Sequence, residues 1–220
     1  MGSELKFDDA LAHYVHEHTP PEPEILGRLR SETANLGPIS EMQISWVQAR
    51  LMQLLASVMG ARRYLEIGTF TGYSTFVMAD AMGADGHTTA LDISEEWTGI
   101  GKRYWEEAGL DKNINLILDD ACKVLEGFLA DDTHVPYDIA FIDADKENIP
   151  KYFDYCIKLL RPNGLVMVDN VLWSGDVINA QDERSSTNAI RAFNKLALED
   201  ERVFLTMIPV GDGITLARKK

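Results

Sequence analysis

Tyr64-Leu65-Glu66-Ile67-Gly68-Thr69-Phe70-Thr71-Gly72-Tyr73-Ser74 reads as a buried strand, Tyr64–Ile67, that ends in a glycine turn and opens a helix. A strand, a tight turn and a helix N-terminus together make a site for a nucleotide-type ligand. Gly68 and Gly72 give the turn backbone freedom and allow a close approach that a side chain would block. Their spacing departs from G-x-G-x-x-G, so a pyrophosphate cradle is not indicated. Glu66 at the strand end places a negative charge where a phosphate would be repelled and a cation welcomed. S-adenosylmethionine, a sulfonium carrying an amino acid and an adenosine, has that polarity.

Upstream of this stretch, Leu5 to Ala34 reads as two short helices broken by Pro20, Pro21 and Pro23, followed by an amphipathic helix over Ile44–Met59. Downstream the chain alternates. Strands are expected at Thr88–Asp92, Ile114–Leu118, Ile139–Asp143 and Leu165–Asp169, with helices at Ser74–Met82, Glu95–Ala108, Ala121–Ala130 and Ile149–Leu160 between them. This cadence implies a parallel sheet covered on both faces. After a loop through Trp173-Ser174-Gly175 and a helix at Ser186–Glu199, strands Val203–Ile208 and Ile214–Ala217 are separated only by Pro209 to Gly213. They must turn back as a hairpin, which makes one strand antiparallel.

At 220 residues with 45% hydrophobic content the chain suits one α/β domain. Its 35 acidic against 21 basic residues, with a basic run only at Arg218-Lys219-Lys220, disfavour nucleic acid and anionic membranes as partners. No apolar run reaches the roughly 18 residues that span a bilayer, and no signal-peptide core is evident. A cytoplasmic protein is the expectation. Cys122 and Cys156 read as two reduced thiols on helices.

In open α/β sheets ligands bind beyond the carboxyl ends of the strands. Those ends carry Glu66 and Gly68, Asp92, Asp143, and Asp169-Asn170. Asp92 falls where an acidic residue accepts hydrogen bonds from the ribose hydroxyls of an adenosine. Asp143, Asp169 and Asn170 supply hard oxygen donors with no Cys or His nearby in sequence, which suits Mg2+ foremost, with Ca2+ and Mn2+ open. Lys146, one turn beyond Asp143, is a candidate general base, since a neighbouring dication disfavours its ammonium form. Trp173, in the loop after these residues, offers a wall for an aromatic substrate. Trp46, Trp97 and Trp105 fit helical packing positions. His13, His16 and His18 read as a solvated helix face.

Four blocks resemble, in order and spacing, the cation-dependent catechol and caffeoyl-CoA O-methyltransferases that use S-adenosylmethionine. They are Leu65 to Ser74, Phe141-Ile142-Asp143-Ala144-Asp145-Lys146, Val168 to Gly175, and Leu205 to Leu216 with Pro209-Val210-Gly211-Asp212-Gly213. The resemblance spans Met42 to Arg218 and implies a Rossmann-like class I methyltransferase fold. That fold has a mostly parallel seven-stranded sheet with one antiparallel strand, helices on both faces and an N-terminal helical preface. One O-methyltransferase domain, 1–220, would comprise the preface 1–59 and a cofactor- and metal-binding core 60–220. Glu66, Gly68 and Ser74 would meet the methionine part of the cofactor, with Ile44, Thr69 and Asp143 among its contacts. Asp92 would hold the ribose, and Ala121 would line the adenine. Asp143, Asp169 and Asn170 would bind the metal, Lys146 would act as base and Trp173 would border the substrate. A homodimer is implied. The chain departs from the family at Trp46-Val47-Gln48-Ala49-Arg50-Leu51, which concerns the lip of the cofactor site.

The expected reaction is methylation of a hydroxyl on a catechol-like, vicinal dihydroxy small molecule. Two other readings stay open: a transfer RNA hydroxyuridine O-methyltransferase of the same fold, which the −14 charge ranks second, and a non-catalytic adenosine-ligand sensor. The missing G-x-G-x-x-G and the terminal hairpin speak against a nicotinamide oxidoreductase.

Overall fold

Asp8, through its side chain, accepts the backbone N–H of Leu11 at 3.0 Å and so starts the first helix, α1 (Asp9–Glu17). The computed structural model describes residues 8–220; the helical expectation over Leu5–Phe7 lies outside them. Pro20, Pro21 and Pro23 break the helix as expected, and α2 (Glu24–Ala34) follows. A short 3-10 helix, Gly37–Met42, leads to α3 (Trp46–Met59), which Ser45 caps and Gly60 ends in the left-handed conformation.

The alternating part comprises β1 (Arg63–Ile67), α4 (Tyr73–Met82), β2 (His87–Asp92), α5 (Glu95–Glu107), β3 (Ile114–Leu118), α6 (Ala121–Ala130), β4 (Tyr137–Ile142), α7 (Ile149–Leu159) and β5 (Leu160–Asp169). It closes with α8 (Ser185–Glu199), β6 (Val203–Ile208) and β7 (Ile214–Lys219). The seven strands lie in the order β3-β2-β1-β4-β5-β7-β6. Only β7 runs antiparallel, pairing with β5 and β6. The expected fold class is therefore the observed one.

Two element bounds differ for a physical reason. Pro162-Asn163-Gly164 reads as a turn before β5, yet Leu160 already pairs with Tyr137, and Asn163 takes φ +62 inside an irregularity before the ladder resumes at Leu165↔Ile139. Asp143 lies one residue past the end of β4 rather than within it, its N–H donating to the Ile67 carbonyl at 2.9 Å.

Side-chain alternation splits the core between the two faces. Leu65, Ile67, Ala140, Ile142, Val166 and Val168 pack with Phe153, Cys156 and Phe193 of α7 and α8. Tyr64, Ile139, Phe141 and Met167 pack with Met52, Val77 and Trp105 of α3, α4 and α5, and Leu26, Leu29 and Trp46 join this second cluster. The helical preface is thus part of the core beside the glycine turn. Trp46 fixes it further by donating its indole N–H to the Pro20 carbonyl at 2.6 Å.

Candidate active site

β1 pairs with β2 on one side and β4 on the other, so the chain reverses its direction of build-up at β1. Ligands gather at such a switch point. Here the strand ends open into a cavity of about 890 Å3, at the upper end of volumes that hold small molecules. Ile44, Gly68, Thr69, Ser74, Asp92, Ala121, Asp143, Lys146, Asn170 and Trp173 all border it.

The glycines of the turn are required by contacts within the protein. Gly68 has φ +93, and a Cβ on it would fall inside the Asp143 carbonyl. Gly72 has φ +74, and a Cβ there would fall on the Trp105 ring, whose Nε1 donates to the Gly72 carbonyl at 3.1 Å. Asp92 pins the turn: its Oδ2 accepts from the backbone N–H of Thr69 (2.9 Å) and Phe70 (2.8 Å), and its Oδ1 from Ile93 (2.7 Å) and Ser94 (2.8 Å). Phe70 is held at φ +50 as a result. The Asp92 carboxylate borders the cavity but is not the free strand-end group that the sequence suggests.

Glu66 lies behind the cavity wall rather than on it, fully buried beneath the turn. Strand periodicity puts it on the same face as Tyr64, against α4. There it accepts hydrogen bonds from the Tyr64 hydroxyl at 3.0 Å, from the Thr75 hydroxyl, and from Ser74. Burial, reinforced by the charge of Asp143, raises its carboxyl from 4.5 to about 7. Between those values the folded chain holds a proton that the unfolded chain lacks, so stability falls as pH rises from 4.5 to 7 and levels off above. Glu66→Gln keeps an acceptor oxygen and lacks the slope. Moving from pH 5 to pH 8 should favour the variant over the parent by about 2.5 kcal/mol in urea unfolding; parallel pH profiles would show that Glu66 does not titrate in this range.

Lys146 bridges two of the three expected metal-binding residues, Asp143 and Asn170. Its Nζ donates to Asp143 Oδ1 at 3.1 Å and to Asn170 Oδ1 at 2.7 Å. Asn170 reaches this position at φ +58, with its N–H donating to Asp169 Oδ1 at 2.7 Å. Asp169 is buried, and burial together with the charge of Asp143 pushes its carboxyl well above the usual carboxylate range. Among the described residues no three His, Cys, Asp or Glu side chains gather as a metal cluster; the set here is two carboxylates and an amide. Asp169 does not border the cavity, and its two oxygens accept from Gln48 and the Asn170 N–H; Asp143 and Asn170 are the members of the set whose donor chemistry faces the cavity and suits a hard cation. Two hard oxygen donors, Asp143 Oδ1 and Asn170 Oδ1, meet on the Lys146 ammonium.

Trp173 has φ +50 and carries Lys146 Nζ 5.7 Å from its ring centroid. The β6–β7 hairpin supports it: Asp212 Oδ1 accepts the Ser174 N–H at 2.6 Å, and the Leu172 N–H donates to the Asp212 carbonyl at 3.0 Å.

Three site features escape the sequence reading. Trp97, expected to be a packing residue, borders the cavity and meets Phe70 edge to face, with centroids 5.3 Å apart. Only its position three residues past Ser94, at the first turn of a helix facing the site, could have signalled this. Gln48, in the segment that departs from the family, donates to Asp169 Oδ2 at 2.7 Å and so supplies a neutral partner to a buried acid. Arg30 of the preface donates to Gln43 Oε1 (3.1 Å) and to the Ile44 carbonyl (3.2 Å), which holds the lip of the cavity. The decoys behave as expected: His13 pairs with Glu17 at 3.3 Å and His18 stacks on Tyr14, both exposed.

Residues 16–220 match the model of a family described as O-methyltransferase. The caffeoyl-CoA O-methyltransferase of Populus kitakamiensis is 36% identical over 220 residues, covering 96% of this chain and 94% of its own. An O-methyltransferase from Bacillus cereus, solved in complex with SAH, superimposes with a TM-score of 0.85 at 32% identity over 96% of this chain and 97% of its own. TomG from Streptomyces achromogenes, involved in tomaymycin synthesis and solved in complex with SAM, gives 0.86 at 30% identity over 96% of each chain.

Proposed function

The chain belongs to the O-methyltransferase family as an S-adenosylmethionine-dependent enzyme of the caffeoyl-CoA O-methyltransferase type, and from that premise we propose that it methylates a hydroxyl of a catechol-like small molecule in a divalent-cation-dependent reaction. The observation that carries this reading is the meeting of Asp143, Lys146 and Asn170 beside Trp173 in the cavity. Asp143, Asp169 and Asn170 would hold the cation, with Mg2+ first and Ca2+ or Mn2+ as alternatives. Ile44, Gly68, Thr69, Ser74, Asp92, Ala121 and Asp143 would border the cofactor, with Glu66 acting from beneath the turn.

When bound, S-adenosylmethionine supplies a methyl group on a sulfonium and the cation supplies Lewis acidity to the vicinal oxygens. The rest falls to the chain. Lys146, in its amine form, takes the proton of the acceptor hydroxyl at Nζ; Asp143 and Asn170 orient that nitrogen. Trp173 lies against the aromatic ring and restricts its approach, and Ile44 with its Arg30 tie closes the lip against water. Asp92 would share its remaining lone pairs with the ribose hydroxyls while holding Thr69 and Phe70 in the turn. A homodimer in the cytoplasm, built from one domain, completes the reading. Among the described residues no helix is long and apolar enough to cross a membrane.

The test is methyl transfer to 4-methylcatechol followed by mass spectrometry. The methyl ether should form with Mg2+, vanish on chelation with EDTA and return when Mg2+ is restored. Undiminished turnover in EDTA would remove the cation from the mechanism.

A further inference from the structure

Arg30 of α2 does not border the cavity, yet it ties together residues that do. Its Nη1 donates to Gln43 Oε1 at 3.1 Å and to the Ile44 carbonyl at 3.2 Å. Its Nε donates to the Glu22 carboxylate at 3.0 and 3.3 Å, and the same carboxylate accepts the Tyr73 hydroxyl. The guanidinium carbon lies 4.4 Å from the centroid of the Tyr73 ring. Tyr73 is buried, borders the cavity and is the first residue of α4, next to Gly72 in the turn.

Gln43 extends this network to the turn itself. Its Nε2 donates to Thr33 Oγ1 at 3.2 Å and to Thr71 Oγ1 at 3.4 Å, and the buried Thr33 hydroxyl donates to Thr71 Oγ1 at 2.9 Å. The lip at Gln43-Ile44 and the turn at Thr71-Gly72 lie on either side of α3 and β1 in sequence, and neither belongs to a strand. The gap between them is bridged by side chains rather than by a sheet ladder. Arg30 suits this task because a guanidinium presents its N–H groups in a rigid fork that can serve an acid, an amide and a carbonyl together. Among the described residues, none of its contacts reaches Asp143, Lys146 or Asn170.

We propose that Arg30 is a positioning residue for the cofactor: from outside the cavity it holds the lip at Gln43-Ile44 and the start of α4 at Tyr73 in the arrangement that retains S-adenosylmethionine. This inference rests on the reading that Ile44 borders the cofactor and is independent of the acceptor and of the cation. Loss of the guanidinium frees the lip from the turn and leaves the Glu22 carboxylate with the Tyr73 hydroxyl alone among these partners. Cofactor should then leave faster, while the groups proposed to handle the acceptor keep their places.

The experiment titrates the parent, Arg30→Met and Arg30→Lys with S-adenosylhomocysteine by calorimetry, follows its release by stopped-flow tryptophan fluorescence, and measures methyl transfer to 4-methylcatechol with Mg2+. Arg30→Met keeps the stem and removes the charge and the donors, so affinity should fall by about tenfold, with faster release. The KM for S-adenosylmethionine should rise by a similar factor, while kcat at saturating cofactor and the KM for the catechol stay within about twofold. Arg30→Lys keeps a charge beside Glu22 but lacks the fork, so it should show the same split at about threefold; it carries the test if Arg30→Met does not fold. Parent-like affinity in Arg30→Met, or in Arg30→Lys when that variant stands in for it, overturns the inference and leaves methyl transfer standing. A fall in kcat that matches the fall in affinity does the same, since it would make Arg30 a general support of the fold. No methylation of 4-methylcatechol by the parent overturns the catechol reading, and the calorimetry still decides this inference. No binding of S-adenosylhomocysteine by the parent overturns the cofactor site and this inference with it.

Discussion

Gly68→Ala is expected to destabilise the protein by more than about 4 kcal/mol and to abolish cofactor binding in any fraction that folds. Two effects combine. At φ +93 an alanine is strained by its own backbone, and its Cβ would enter the carbonyl group of Asp143, with the carbonyl carbon only 2.7 Å away. Neither neighbour can yield. Gly68 donates its N–H to the Leu91 carbonyl at 3.0 Å, and Asp143 donates its own to the Ile67 carbonyl at 2.9 Å, so both backbones are fixed by the sheet. The displaced residue would be the one whose side chain orients Lys146. Gly60→Ala is the control: it also has positive φ, but open space lies around its Cβ position, and about 1 kcal/mol is expected there. Urea unfolding of both variants, with calorimetric titration of S-adenosylhomocysteine, separates strain from collision. Equal losses at the two positions would mean that the contact with Asp143 carries no weight.

Much of this arrangement is legible in the chain because local and global signals agree. Ile114–Leu118 and Ala121–Ala130 fall within the bounds that their periodicity and the Asp120 cap suggest. The hairpin follows from its short connection. A parallel sheet aligns the carboxyl ends of adjacent strands by construction: Ile67 pairs with Ile142, and Ile142 with Val168. Asp143, Lys146 and Asn170 therefore meet despite their separation in sequence.

What is not legible is orientation. Glu66 precedes Gly68 by two positions and lies near the ligand in sequence, but a strand turns successive side chains to opposite faces. Counting from Tyr64, whose bulk marks the α4 side, would have assigned Glu66 to that buried face. Trp97 errs in the opposite direction, because an aromatic residue in a helical pattern reads as core whether the helix faces a neighbour or a cavity. Gln48 gives no signal: a glutamine on an amphipathic helix looks solvated, and only the tertiary fold brings its amide to Asp169 Oδ2. These misses share a cause, namely tertiary contacts that decide which side of a correctly identified element is presented to the site.

Lys146→Met should lower kcat by about a hundred- to ten-thousand-fold, the range typical of removing a general base, while the affinity for Mg2+ rises. The two expectations come from one geometry. Lys146 Nζ hydrogen-bonds Asp143 Oδ1 and Asn170 Oδ1, the oxygens proposed to receive the cation, so the ammonium competes with the metal for them. Without it, the repulsion between Asp143 and the buried Asp169 loses its compensating charge, which should destabilise the metal-free protein and make its melting temperature depend more steeply on added Mg2+. Methionine keeps the length of the stem against Trp173 and removes only the charge and the donor. Calorimetry with Mg2+ and single-turnover methylation should then move in opposite directions. A variant that loses turnover and Mg2+ affinity together would instead make Lys146 a support for the site rather than its base, and retained turnover would transfer the proton to another acceptor.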